Sequence, residues 1–201
     1  DLYFDEDELA VIQGGPDVGA AFAALPFDHL IFTGATNVGR HVMRAAADNL
    51  VPVTLELGGK SPVVIGKTAD LAKTAARVMT GKTMNAGQIC LAPDYVLAPK
   101  ESVPGFVEAS KAAVAKMYPT MKDNADYTSV INQRHYDRIT GMIADARAKG
   151  GEIITINPAN EDFSQQEHRK IPPTIILNAT DDMQVMQDEI FGPLLPVRTY
   201  S

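Results

Sequence analysis

Short apolar runs alternate with amphipathic helical stretches along almost the whole chain, and this alternation restricts the fold more than any other feature. Leu30-Ile31-Phe32 runs into Thr33-Gly34-Ala35-Thr36-Asn37-Val38-Gly39, a helical stretch spans Arg40 to Leu50, and strand-like Val51 to Leu57 ends at the turn Gly58-Gly59. Together these make one βαβ unit. Pro62 to Ile65 reads as another strand and Ala69 to Met84 as a helix, with Leu71, Ala75, Val78 and Met79 on one face. Beyond a loop holding Cys90 the alternation resumes: a strand from Asp94 to Ala98 and a helix from Val103 to Met117. A helix from Arg134 to Lys149, stopped by Gly150-Gly151, and a strand from Ile153 to Ile156 complete it. The pattern predicts an α/β fold: a mostly parallel sheet covered by helices on both faces, with sites at the carboxyl ends of its strands.

Charge and cysteine usage narrow the function. With 18 basic against 25 acidic residues the formal charge is −7, which opposes attachment to nucleic acid or to an anionic membrane. No apolar run approaches the roughly 20 residues a membrane helix needs, so neither nucleic acid nor membrane is an expected partner. The acidic opening Asp1 to Glu8 lacks the basic then apolar order of a secretory signal, and a cytoplasmic protein is expected. That opening carries no Met and runs straight into an apparent element, so more chain is expected upstream. His29, His41, His135 and His168 are scattered without ligand spacing, and no metal site is expected. The one cysteine, Cys90, cannot form an internal disulfide, which leaves it as an inert buried thiol or as a nucleophile.

Four segments carry possible chemistry. The turn from Phe32 to Gly39 joins a strand to a helix and exposes backbone N–H groups where a phosphate can bind. Its Gly34-x4-Gly39 spacing is not the G-x-G-x-x-G of a standard dinucleotide fold. Glu56-Leu57-Gly58-Gly59-Lys60-Ser61-Pro62 places an acid at a strand end before two glycines that permit close approach to the backbone. Asn85-Ala86-Gly87-Gln88-Ile89-Cys90-Leu91-Ala92-Pro93 puts the cysteine in a Gly-containing loop, a placement that favours reactivity, with Asn85 shaping the loop by local hydrogen bonding. Gln187-Asp188-Glu189-Ile190-Phe191-Gly192-Pro193 sets an acid and an aromatic two residues apart before a Gly-Pro turn. Each alone could be an ordinary turn or helix end.

In this order and at these intervals, including the 34 residues from Glu56 to Cys90, the four segments resemble the aldehyde dehydrogenase superfamily over almost the whole chain. The resemblance implies a member's fold: the end of a Rossmann-like cofactor domain over residues 1–58 and an incomplete catalytic domain over 59–201. It implies NAD or NADP as cofactor, contacted by Thr33, Gly34, Ala35, Thr36 and Gly39 in the phosphate turn, by Leu57 and Gly58, and by Glu189 and Phe191 at the nicotinamide ribose and ring. It casts Cys90 as the nucleophile and Glu56 as the general base, acting on a small-molecule aldehyde by way of a thiohemiacetal and a thioester. Lys60 and Ser61 read as turn-forming neighbours. Ala35 stands where the family usually has Ser, which removes one hydroxyl contact and leaves the backbone donors.

Members of the superfamily are more than twice as long, so the resemblance also implies a fragment. The first half of the cofactor domain, the Asn of the oxyanion hole and most of the oligomerisation arm are expected outside it, the parent being a homodimer or homotetramer. The continuation Cys90-Leu-Ala-Pro-Asp-Tyr-Val-Leu97 resembles a branch acting on aromatic and medium-chain or fatty aldehydes, coniferyl aldehyde dehydrogenases among them. Two alternatives stand beside this: a CoA-acylating relative, against which the presence of Glu56 argues, and a fragment or structural module inactive in isolation.

Overall fold

The computed structural model describes residues 3–201; Asp1 and Leu2, which begin the acidic opening, lie outside the described residues. The chain divides into two compact units, residues 1–58 and 59–201.

The first unit holds helix α1 (Pro16–Ala23), strand β1 (Leu30–Gly34), helix α2 (Thr36–Ala47) and strand β2 (Val53–Leu57). β1 and β2 pair in parallel, from Leu30 opposite Val53 to Gly34 opposite Leu57, with α2 as the crossover. This is the predicted βαβ unit. Its core is small: Ala23, Leu30, Ala46 and Val51 are buried, with Phe27, Val42, Ala45 and Val53 packed against them. The alternation leaves α1 unread, although Pro16 in its first turn suits a helix start.

The largest boundary difference from the sequence reading is at the start of α2. α2 begins at Thr36 instead of Arg40, because Ala35 is extended (φ −69°, ψ 143°) and the chain turns helical immediately after it. Gly39 therefore lies inside the helix, is buried, and donates its N–H to the Ala35 carbonyl at 2.9 Å. A Cβ on Gly39 would sit 2.9 Å from Cδ2 of Leu57, so the glycine lets α2 lie close on β2.

The second unit is a five-stranded sheet in the order β3 (Pro62–Val64), β4 (Tyr95–Pro99), β7 (Leu194–Tyr200), β6 (Thr174–Leu177), β5 (Glu152–Thr155). The β3–β4, β4–β7 and β7–β6 pairs are parallel, and edge strand β5 runs antiparallel to β6. Side chains alternate between the two faces. Ile175 and Leu195 join one buried cluster with Ala75, Val78 and Met79 of helix α3 (Leu71–Thr83) and Phe106 and Val114 of helix α4 (Val103–Met117). Their neighbours Ile176 and Leu194 join another with Ile139, Met142 and Ala146 of helix α5 (Gln133–Ala148) and Val185 of the one-turn helix α6 (Gln184–Gln187). The sheet is thus covered on both faces, as the alternation predicts. β6 and β7 are absent from the sequence pattern: Pro172-Pro173 precedes one, and Pro196 sits inside the other, a central strand where proline is rare.

Candidate active site

Helix α3 delivers the cysteine loop. Its start is capped by Asp70, whose carboxylate accepts from the Lys73 N–H at 3.1 Å, and its last turn runs into a tight turn, Met84–Gly87. Asn85, Ala86 and Gly87 all have left-handed backbone, with φ of 50°, 52° and 72°. Such conformations cost energy for residues bearing a Cβ and persist only where the surroundings impose them. Here Nδ2 of Asn85 donates to the Gln88 carbonyl at 3.1 Å, and Nε2 of Gln88 donates to the carbonyls of Asn85 and Ser129, both at 3.0 Å. Oε1 of Gln88 accepts from the Ile131 N–H at 2.9 Å, so one side chain ties the loop to a distant segment. Cys90 then emerges exposed as a free thiol. Met84 and Leu91 of the same loop, and Ile131 on the tied segment, are exposed apolar side chains.

The Glu189 segment is held by groups whose role the sequence did not reveal. Lys60 forms an ion pair with Asp94 and donates from Nζ to the carbonyls of Val185 and Asp188, each at 2.9 Å. The other Asp94 oxygen accepts from the Ile190 N–H at 3.1 Å. From α5, Arg138 donates to the carbonyls of Glu189 at 3.3 Å and Ile190 at 2.6 Å. Lys82, fully buried in the last turn of α3, donates from Nζ to the Gly192 carbonyl at 3.0 Å. Burial pulls its pKa down to about 8, against the opposing pull of Asp94. Partial burial raises the Glu189 carboxyl above its ordinary range, while the Gly59 N–H at 3.4 Å acts in the other direction. Phe191 is itself left-handed, with φ 47°.

The cysteine loop and the Glu189 segment meet. A Cβ on Gly87 would collide with the Gly192 carbonyl and lie 3.0 Å from the Lys82 carbonyl, so only glycine fits there. Cys90, Glu189 and Phe191 therefore share one unit.

The remaining candidates share the first unit. Thr33 and Gly34 end β1, opposite Glu56 and Leu57 of β2, and Gly58 follows. Glu56 is exposed. Ala35 and Thr36 form the start of α2, where no side chain caps the helix. Backbone N–H groups of that first turn are accordingly left without a side-chain partner. The Gly39 N–H is already spent on the Ala35 backbone carbonyl.

Sequence reasoning missed Lys60, Lys82, Asp94 and Arg138. Lys60 was visible only as a turn neighbour, although its ammonium is the hub of the segment. Lys82 left a signal: it extends the apolar stripe Ala75, Val78, Met79 by one helical step, where a charge needs a buried partner. Among the described residues, no group of three or more His, Cys, Asp or Glu could hold a metal ion, and no helix is long and apolar enough to cross a membrane.

Comparisons with known proteins bear on what these loops do. A family model described as the aldehyde dehydrogenase family matches residues 2–201. The probable coniferyl aldehyde dehydrogenase of Caulobacter vibrioides is 69% identical over 197 residues, covering 98% of this chain and 41% of that protein. The coniferyl aldehyde dehydrogenase of Pseudomonas sp. (strain HR199) is 61% identical over 198 residues, with the same coverages of 98% and 41%. The chain thus spans about two fifths of the length of these relatives. Among solved structures, the substrate-bound state of Staphylococcus aureus AldH superposes with a TM-score of 0.88 at 38% identity, over 98% of this chain and 42% of that one. Aldehyde dehydrogenase C of Pseudomonas syringae, a C291A variant complexed with NAD+ and octanal, gives 0.82 at 26% identity over 94% and 39%.

Proposed function

The chain belongs to the aldehyde dehydrogenase family, and from that premise we propose that the protein oxidises an aldehyde to its carboxylic acid, with Cys90 as nucleophile and Glu56 as general base. The observation that carries this reading is the seating of Cys90. The chain's one cysteine stands exposed on a strained loop pinned by Asn85 and Gln88 and packed through Gly87 against the Glu189 segment.

In the mechanism, the Cys90 thiolate attacks the carbonyl carbon, forming a C–S bond and an alkoxide. The Cys90 backbone N–H donates to that alkoxide as charge develops. A bound nicotinamide cofactor would supply the hydride acceptor needed when the Cys90-bound alkoxide collapses. The acyl group is then a thioester on Cys90. Glu56 takes a proton from a water molecule, which attacks the thioester carbonyl and releases the thiolate and the acid.

For the cofactor, NAD or NADP, the uncapped start of α2 supplies the fit. Backbone donors at Ala35, Thr36, Asn37 and Val38 suit a pyrophosphate, with Thr33 and Gly34 leading into them. Gly39 contributes by letting α2 close on Leu57, next to Gly58. Glu189 would accept hydrogen bonds from the nicotinamide ribose, and Phe191 would stand beside the ring. Residues 1–58 are accordingly the end of the cofactor domain, and residues 59–201 part of the catalytic domain.

The similarity to coniferyl aldehyde dehydrogenases supports an aromatic or medium-chain aldehyde as substrate, and the exposed Met84, Leu91 and Ile131 near the nucleophile suit an apolar one. The whole protein is a cytoplasmic homodimer or homotetramer on this reading. Its test is Cys90→Ser in the full-length protein, assayed by aldehyde-dependent NAD(P)H formation with coniferyl aldehyde, benzaldehyde and hexanal. Turnover should fall at least about a thousandfold on every substrate. Retained turnover would remove Cys90 from the reaction, and a wild-type preference for short aliphatic aldehydes would overturn the substrate class.

A further inference from the structure

Lys82 is an ammonium side chain taken out of water that, among the described residues, makes one hydrogen bond, to the Gly192 carbonyl at 3.0 Å. An apolar residue of similar length at such a position is usually neutral or stabilising, so stability alone does not account for a charge there. Its position does. The cysteine loop leaves α3 one residue beyond Lys82 and ends at Asp94. Each end of that loop is tied to the Glu189 segment: Asp94 accepts from the Ile190 N–H at 3.1 Å, and Lys82 donates to the Gly192 carbonyl. Within the bracket lie the left-handed residues Asn85, Ala86 and Gly87, and opposite them left-handed Phe191. A Cβ on Gly87 would strike the same Gly192 carbonyl that Lys82 holds. That carbonyl is therefore the point where the two strained turns are set against each other.

We infer that Lys82 is a positioning residue, which fixes the Phe191–Gly192 turn relative to the cysteine loop and so aligns the cofactor's ring side with the atom Cys90 attacks. This rests on the roles assigned to Cys90 and Phe191 above. Lys82 touches neither substrate nor cofactor. Asp94 and Lys60 fix the other end of the bracket, and Arg138 holds the stretch between, so without Lys82 the Glu189 end stays anchored while the Gly192 end is released. Attack by Cys90 uses no chemical group of that turn, whereas oxidation does.

Two reactions of the full-length enzyme separate these effects. Acylation by p-nitrophenyl acetate uses Cys90 alone: the thiolate bonds to the acetyl carbon, the ester C–O bond breaks, and p-nitrophenolate leaves. Aldehyde oxidation needs the cofactor as well. With Lys82→Met the p-nitrophenolate burst should stay within about twofold of wild type, while cofactor-dependent kcat/KM falls about tenfold or more, the size of one lost charge-assisted hydrogen bond. Lys82→Arg, which retains a buried donor, should recover most of the oxidation. Equal loss of both reactions in Lys82→Met would show general disruption and overturn the inference, as would unchanged oxidation. A Cys90→Ser control run alongside distinguishes the failures. If it keeps the burst, the assignment of Cys90 is wrong; if it loses the burst and Lys82→Met behaves as wild type, only the role of Lys82 is wrong.

Discussion

The two units solve the problem of holding a functional loop in opposite ways. In the second, the cysteine loop and the Glu189 segment are locked by groups of their own unit: Gln88 and Asn85 on one side, Lys60, Asp94 and Arg138 on the other, and Lys82 and Gly87 where they meet. Two hydrophobic clusters on a five-stranded sheet stand behind them. In the first, the end of β1 and the start of α2 rest on a two-stranded sheet and four buried side chains. Apolar Phe22, Ile31 and Val38 are exposed there, around a cleft of about 460 Å³ lined also by Phe32 and Val42. The Cys90 loop is therefore held by side chains of its own unit, whereas among the described residues Glu56 and the start of α2 are placed by the β1–β2 pairing and its crossover helix.

Each unit has a glycine that lets two elements approach closely, and these glycines should respond differently. Gly87 combines a φ of 72° with a backbone carbonyl as neighbour, and neither can yield. Gly87→Ala should cost about 2–3 kcal/mol and abolish labelling of Cys90 in its native geometry, as read by denaturant unfolding and by iodoacetamide kinetics. Gly39 has helical backbone and meets the movable end of Leu57. Gly39→Ala should change stability by about 1 kcal/mol or less, because gained helix propensity offsets the crowding. Its effect should appear instead in cofactor affinity, measured by titration. Equal destabilisation by the two substitutions would break the comparison.

Amide hydrogen exchange of this chain sharpens it further. Strands β4, β6 and β7 should exchange slowest, and β1 and β2 faster by about tenfold or more. Uniform protection across both units would contradict the contrast in their cores.

Much of this was legible in the sequence, for reasons that also explain what was not. The β1–α2–β2 unit and helices α3 to α5 announce themselves because local apolar periodicity decides them; Val103–Met117 is recovered at both ends. Strand β7 is not, because Pro196 breaks its local signal and only burial between neighbours specifies it. The start of α2 was misplaced because Gly34 and Gly39 look like one turn, although Gly39 serves packing against Leu57. Candidate loops were visible as glycine-bearing motifs. The cations that hold them were not, since Lys60 and Arg138 reach backbone carbonyls more than fifty residues away in sequence, and nothing local marks such a partner. Lys82 was the one readable case, a charge in an apolar stripe.

The central claim, that Cys90 carries the acyl group and Glu56 drives its release, has a direct test. In the full-length protein bearing Glu56→Gln, steady-state oxidation should fall about 10²–10⁴-fold. Intact-mass spectrometry after mixing with NAD+ and a coniferyl-type aldehyde should show one added acyl group, mapped to the Cys90 peptide. Turnover near that of wild type with no adduct on Cys90 would contradict the account.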